Sequence, residues 1–322
     1  MTHVALVLIG RNEGDRLKRA LDAAQGQASR IVYVDSGSTD GSVAAARAAG
    51  AEVVELDMSV PFSAARARNA GFARLEQDDP PTLVQFIDGD CALVPGWIAA
   101  AQAHIETDPK LAVVTGWRSE IDRDASVYNQ MCDHEWHRPA GPITACGGDM
   151  LVRAEAFRQV GGFSDHVIAA EDDDFCLRLG AAGWRLERLP LEMTRHDAAM
   201  TRFGQWWRRA VRAGHGFAQV GDLHPGYFRS EKRRVLLFGL ILPLLALVGA
   251  AFSAWVPLLV LALYAVSYLR TVAGLRAEGL AAPQARVHAL FLTLSKFPNL
   301  WGMAKYHFNR ARNRTPEIIE YQ

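Results

Sequence analysis

A chain of 322 residues, half of them hydrophobic, can bury one large core or two modest ones. Its 35 Lys and Arg balance 35 Asp and Glu, so no overall attraction to nucleic acid or another polyanion is expected. Cys91, Cys132, Cys146 and Cys176 form no C-x-x-C pair, which argues against a zinc knuckle or thioredoxin-like site and fits a reducing, cytoplasmic setting. The opening Met1-Thr2-His3-Val4-Ala5-Leu6 lacks the basic flank and long apolar core of a signal peptide, so the N-terminal part is expected to stay where it is made.

Up to about Arg229, short apolar runs alternate with Ala-rich amphipathic stretches. Val4 to Ile9, Ile31 to Val34, Val53 to Leu56 and Leu83 to Ile87 read as buried strands. Between them Arg16 to Ala24, Gly41 to Ala49 and Ser63 to Leu75 read as helices, and Pro95 opens another helix at Trp97. Leu111 to Thr115 returns as a strand. This alternation predicts an α/β fold, a Rossmann-like, mostly parallel sheet with helices on both faces.

From Val235 to Leu269 no charged residue occurs, which exceeds the ~18 residues that mark a membrane candidate. Pro243 and Pro257 interrupt the run, with Ser253-Ala254-Trp255 near its middle. A transmembrane helical hairpin with spans near 235–252 and 255–270 is expected, a buried hairpin of a soluble protein being the alternative. Glu231-Lys232-Arg233-Arg234 precedes it and Arg270, Arg276 and Arg286 follow, so both ends are expected on the cytoplasmic side. Val287 to Phe308 mixes Leu290, Phe297 and Trp301 with Lys296 and Lys305 and reads as an interfacial or re-entrant helix. The expected division is therefore 1–229 and a membrane-associated 230–322.

Three acidic sites stand out in the first part. Asp35, in Val34-Asp35-Ser36-Gly37-Ser38-Thr39-Asp40-Gly41, follows a strand and opens a helix. A carboxylate at a strand's carboxyl edge can bind a base or ribose, and the turn supplies backbone N–H groups. An ordinary helix cap uses the same residue types. Asp88-Gly89-Asp90 closes the apolar strand Leu83 to Ile87; two such close carboxylates suit a divalent cation, although a solvated turn also favours Asp-Gly. In Glu171-Asp172-Asp173-Asp174-Phe175, Asp172 continues the apolar stripe of Phe175, Leu179 and Ala182. That spacing aims one acid inward, as a general base would be, while the helix dipole alone would also favour acids there.

Taken in order, Asn12-Glu13, Val34 to Gly41, Ala67-Arg68-Asn69-Ala70-Gly71, Asp88-Gly89-Asp90, Gly161-Gly162-Phe163 and Glu171-Asp172 ahead of Cys176-Leu177-Arg178 resemble the family-2 glycosyltransferases over residues 3 to 200. The resemblance implies a GT-A catalytic fold, inverting sugar transfer and a divalent metal, Mg²⁺ or Mn²⁺. It implies that Asn12, Glu13, Asp35, Ser38, Arg68 and Asp88 bind the nucleotide of a UDP- or GDP-linked sugar donor. Asp88 and Asp90 would be the D-x-D pair, with Asp90 the direct metal ligand. Asp172 would be the catalytic base, and His196, in Thr194-Arg195-His196-Asp197, would contact metal or diphosphate. Ile9-Gly10-Arg11 departs from the Pro-Thr-Tyr of many relatives, and Gln205-Trp206-Trp207-Arg208-Arg209 only echoes the Gln-x-x-Arg-Trp of processive ones. A single-transfer enzyme is therefore expected, acting on a lipid or lipid-linked glycan at the cytoplasmic membrane with its catalytic domain facing the cytoplasm. The aromatic and polar stretch Trp117 to Arg138 either lines the acceptor side or is an ordinary amphipathic helix. A nucleotidyltransferase would also use carboxylates and a metal, but the phosphate loop G-x-x-x-x-G-K-[ST] is absent; an inactive scaffold would not keep all three acidic sites. His134-Glu135-Trp136-His137 is one residue short of a zinc-protease H-E-x-x-H.

Overall fold

The computed structural model describes residues 3–314 and 318–319; the first two residues and the last few of the expected membrane-associated region lie outside them. The chain forms two compact units. One holds the chain up to Ala125 together with Cys132–Ala199; the other holds Ser126–Met131 and the chain from Met200 onward.

The first unit is a nine-stranded sheet between helices. β1 (Val4–Gly10), β2 (Arg30–Asp35), β3 (Glu52–Glu55) and β4 (Leu83–Asp88) alternate with α1 (Asp15–Ala24), α2 (Ser42–Ala48) and α3 (Ala64–Gln77). They run parallel in the order β3-β2-β1-β4. After them come β5 (Cys91–Leu93), α4 (Trp97–Ile105), β6 (Leu111–Glu120), α5 (Val127–Trp136), β7 (Gly141–Ile143), β8 (Met150–Arg153), α6 (Ala154–Val160), α7 (Glu171–Ala181) and β9 (Arg185–His196).

The sheet is mixed, not mostly parallel. β8 lies antiparallel between β4 and β6, β6 and β9 are parallel, and both β5 and β7 pair antiparallel with β9. The short runs β5, β7 and β8 carry no periodicity that would set their direction. The two-residue period of β1 sends Ala5, Val7 and Ile9 into one core with α3 and α7, and Leu6 and Leu8 into a second with α1 and α4. Helices therefore cover both faces, as expected. Register places Gly10 opposite Asp35 and Ile9 opposite Asp88, so the carboxyl ends of β1, β2 and β4 finish flush.

The second unit is helical: α8 (Phe203–Leu223), α9 (Arg229–Leu236), a π turn (Leu237–Ile241), α10 (Leu242–Gly249), α11 (Trp255–Ala277), α12 (Ala282–Leu294) and α13 (Lys296–Ala311). A Cβ on Gly214 would lie 2.0 Å from the Asn299 carbonyl oxygen, and one on Gly302 would lie 2.0 Å from that of Val211. The backbones of α8 and α13 therefore touch, as small residues allow between packed helices. α8 therefore groups with the helices that follow it.

Among the described residues α11 is the one helix long and apolar enough to cross a membrane. The expected hairpin is not a pair of plain spans, because its first limb joins the end of α9, the π turn and α10. The stretch 287–308 breaks at Ser295 into α12 and α13. A π turn replaces i→i+4 by i→i+5 bonding, which frees a carbonyl locally. Here the Phe238 carbonyl accepts a hydrogen bond from the Tyr264 hydroxyl of α11. Tyr264→Phe should strand that acceptor and cost about 1 kcal/mol, read as a lower melting temperature in detergent; an unchanged midpoint would separate the π turn from α11.

Candidate active site

The flush strand ends of the first unit carry the site. Asp35, 3% exposed, closes β2; its carboxylate accepts from the Tyr33 hydroxyl at 3.0 Å and from the N–H groups of Gly37 and Ser38 at 2.9 and 2.8 Å. These bonds shape the turn before α2. Asn12, in the left-handed region at φ 55°, ties the β1 loop to the same turn. Its N–H donates to Ser38 Oγ at 2.9 Å and its Oδ1 accepts from Thr39 N–H at 2.8 Å. Asp35 and Asp88 sit two strands apart, roughly 10 Å, with Gly10 between them.

Glu13 turns back toward the β4 edge. Gly89 and Gly10 leave it room: a Cβ on either would lie 3.1 or 2.9 Å from Glu13 Cγ. Burial first, then the Asp90 charge, pushes its carboxyl up to about 7 despite an ion pair with Arg16 at 3.0 Å.

Asp88 is half-buried at the end of β4. Arg68 Nη2 donates to its Oδ1 at 2.8 Å, while Nη1 of the same guanidinium donates to Glu171 at 2.8 Å. Arg68 is 2% exposed and lies over the Phe163 ring at 5.3 Å. Gly148 is required beside it, because a Cβ there would fall 2.0 Å from Nη2. Arg68 thus links β4 to the start of α7. On the other side Arg118, at the end of β6, reaches Asp149 at 2.9 Å and Asp88 at 3.6 Å. Asp149 also accepts from Thr194 Oγ1 at 2.8 Å and from the Asp88 N–H at 3.1 Å. Burial, with Asp149 adding to it against Arg68, raises the Asp88 carboxyl above its ordinary range.

Asp90 meets His196, which ends β9, with Nε2 and Oδ2 3.2 Å apart. The His196 Nδ1 faces Glu120 at 3.6 Å, and the ring meets Trp136 edge-on at 4.6 Å. Burial works against protonation of His196, but the Asp90 and Glu120 carboxylates prevail and push its pKa up to about 9. Cys91 lies within 4.8 Å of the Asp90 and His196 ligand atoms and of those of Asp88 and Asp149, and burial lifts its thiol well above the usual range.

The four acids opening α7 divide their work. Glu171 and Asp174 are the buried ones, Glu171 on Arg68 and Asp174 on Ser164 Oγ at 2.6 Å and Arg178 Nε at 3.0 Å. Asp172, expected on the inward stripe, is half-buried instead and opens toward the Gly147 loop. A Cβ on Gly147 would lie 3.8 Å from Asp172 Oδ2 and 3.9 Å from Arg118 Nη2. Burial, then its neighbours Glu171 and Asp173, raises the Asp172 carboxyl well above the ordinary range.

The carboxylates read from the sequence therefore gather along one sheet edge. Arg118, Asp149 and Glu120 complete the arrangement and were not expected, and Glu171, read as part of an acidic run, joins it through Arg68. The one available signal was a charged residue directly after an apolar strand (Arg118) or after Gly147-Gly148 (Asp149).

The parallel half β3-β2-β1-β4, the Asp88-Gly89-Asp90 pair at its edge and a mixed second half make this a GT-A glycosyltransferase fold. The profile described as Glycosyl transferase family 2 matches residues 6–159, and that described as Glycosyl transferase family group 2 matches 83–295. The chain belongs to the family-2 glycosyltransferases. It is 27% identical over 269 residues to the pre-mycofactocin glycosyltransferase of Mycobacterium tuberculosis, covering 79% of this chain and 52% of that protein. The chain thus spans about half the length of that relative. Over 101 residues, 31% of this chain and 32% of the other, it is 35% identical to the N-acetylglucosaminyl-diphospho-decaprenol L-rhamnosyltransferase of the same organism. The structure superposes on a mannosyltransferase from Pyrobaculum calidifontis, solved in complex with GDP-Man and Mn²⁺. That match has a TM-score of 0.60 at 16% identity and covers 96% of this chain and 88% of the other.

Proposed function

We propose that the chain transfers a sugar, with inversion, from a nucleotide-diphosphate sugar to a hydroxyl of a lipid or lipid-linked glycan at the membrane. The observation that carries this reading is the Asp90–His196 pair at the edge where Arg68 joins Asp88 to Glu171, at the start of the helix that bears Asp172. Such an arrangement has a place for a nucleotide, a diphosphate and a proton acceptor side by side.

Asp35, Asn12 and Ser38 hold the base and ribose at the β2 edge. Asp90 and His196 would hold a divalent cation, Mg²⁺ or Mn²⁺, with Asp88 set apart on Arg68. Ligands about 2.1 Å from an octahedral ion lie roughly 3 Å apart, and the imidazole and Asp90 oxygen are 3.2 Å apart. When bound, that ion supplies charge neutralisation for the departing diphosphate. To ligate it His196 must release its proton, so metal uptake is coupled to pH. Arg68 positions Asp88, and Arg68 and Arg118 add positive charge where the leaving group develops negative charge. Glu13 backs the D-x-D pair from the β1 loop. In the transfer the bond from the anomeric carbon to the diphosphate oxygen breaks and one to the acceptor oxygen forms on the opposite face. The acceptor's proton passes to Asp172.

The uncharged stretch 235–269 and the exposed apolar residues of α10 and α11 support a membrane setting, with the basic flanks and the catalytic unit on the cytoplasmic side. The decaprenol-linked substrate for which the rhamnosyltransferase relative is named, and the GDP-Man and Mn²⁺ of the mannosyltransferase, agree with a lipid-linked acceptor and with a metal-bound nucleotide sugar.

The test is nucleoside diphosphate release by the detergent-solubilised chain from a panel of UDP- and GDP-sugars, with Mn²⁺, chelator and membrane lipid. Release that needs metal and falls at least 10²-fold in Asp90→Asn is expected. Pyrophosphate release from a nucleoside triphosphate, with no turnover of any nucleotide sugar, would make the chain a nucleotidyltransferase.

A further inference from the structure

Glu120 closes β6 and is the register partner of His196, which closes β9. The two strand ends are tied together there, the Ile121 N–H donating to the His196 carbonyl at 2.9 Å. Glu120 is 7% exposed, an enclosure that a carboxylate tolerates only with donors around it. Its Oε1 accepts from the Asp122 N–H at 3.2 Å, and its Oε2 from the Ala198 N–H at 3.0 Å. Ala198 lies two residues beyond His196, so the carboxylate is held by the same stretch of chain that carries the imidazole. The same Oε2 faces His196 Nδ1 at 3.6 Å.

His196 therefore has a carboxylate on each ring nitrogen: Asp90 Oδ2 lies 3.2 Å from Nε2, and Glu120 lies on the other side. The ring is buried, and the indole of Trp136 meets it edge-on at 4.6 Å. Among the described residues nothing accepts from Nδ1 more closely than Glu120. The two acids are placed for different work. Asp90 stands in the D-x-D turn, whereas both oxygens of Glu120 are taken up by backbone N–H groups behind the ring. A neutral imidazole ligates through one nitrogen and keeps its proton on the other. A fixed carboxylate facing that second nitrogen selects the tautomer and sets the ring orientation.

We infer that Glu120 is a positioning residue, which keeps the His196 proton on Nδ1 and so presents the Nε2 lone pair, beside Asp90, to a divalent cation. The inference rests on the reading of Asp90 and His196 as cation ligands.

The experiment titrates the full chain in detergent with Mn²⁺ alone and follows the electron paramagnetic resonance signal of the free ion. Glu120→Gln keeps the shape of the side chain and removes its charge, and affinity is expected to fall about 10–100-fold. In a His196→Ala background the same substitution is expected to change affinity less than about twofold, because its effect passes through the ring. An equal loss in both backgrounds would make Glu120 a structural residue and overturn the inference, as would an unchanged affinity in Glu120→Gln alone. Asp90→Asn tests the ligands themselves. Binding as tight there as in the parent, or none by the parent, sinks the cation reading and the inference with it. Loss in Asp90→Asn beside an unaffected Glu120→Gln sinks the inference only. Should Glu120→Gln fold poorly, long-range proton–nitrogen NMR of the parent chain, made with isotopically labelled histidine and loaded with Mg²⁺, decides the matter. The His196 signal is the one lost in His196→Ala; a proton on Nδ1 is expected, and a proton on Nε2 would overturn the inference.

Discussion

Asp172→Asn is expected to slow sugar transfer by about 10²–10⁴-fold while changing donor affinity less than about threefold. The substitution keeps the shape and the bond that the Asp173 N–H makes to Asp172 Oδ1 at 3.0 Å, but it cannot take a proton. The residues proposed to bind the donor lie elsewhere, at the ends of β1, β2 and β4 and on α3, so binding and chemistry should separate. Turnover with a saturating acceptor, set beside a calorimetric donor titration, reads both. Parallel loss of the two would place Asp172 in donor binding and leave the base unidentified.

Arg68→Met is expected to be the most damaging change to stability in the catalytic unit. The guanidinium is enclosed and bonded to both Asp88 and Glu171; removing it leaves Glu171, 5% exposed, buried without its cation. Breaking one side of a buried ion pair costs about 3–5 kcal/mol. For a unit of this size that corresponds to a melting temperature lower by on the order of 10 °C. Differential scanning calorimetry of the purified protein measures it. A shift under 2 °C would mean that the two carboxylates take up protons at little cost. Arg68→Met/Glu171→Gln should then recover part of the loss if the unpaired Glu171 is its source.

Much of the catalytic unit was legible because its first half obeys simple rules. Strands β1, β2 and β4 are parallel, largely apolar and buried on both faces, with β3 a half-buried edge, and each crossing helix has a clear apolar side. Acids placed directly after such strands could be located to the residue, as with Asp35 and Asp88. The second half was not legible. β9 reads Arg185-Leu186-Glu187-Arg188-Leu189-Pro190, with bulged pairing to β6, so no clean alternation betrays it. β5, β7 and β8 are too short for any period. Arg118 and Asp149 were missed for the same reason: each stands on an element whose position in the sheet depends on pairings distant in sequence. Helical spacing singled out Asp172 as the enclosed acid, but Glu171, on Arg68, and Asp174 are the buried ones. In the helical unit the lack of charge was plain, but the π turn depends on Tyr264 and Gly239, far apart in the chain.

That turn sets an angular phase. An α-helix advances about 100° per residue, so the surplus residue in Leu237–Ile241 rotates everything before it relative to α10. Excising a single residue there would leave the composition and length almost untouched. It would nevertheless swing Arg229 to Arg234 around the axis by that angle, with Lys232 carried away from Asp222. Among homologous chains, a one-residue gap at this point would therefore alter which face of the helix is basic far more than any conservative exchange nearby.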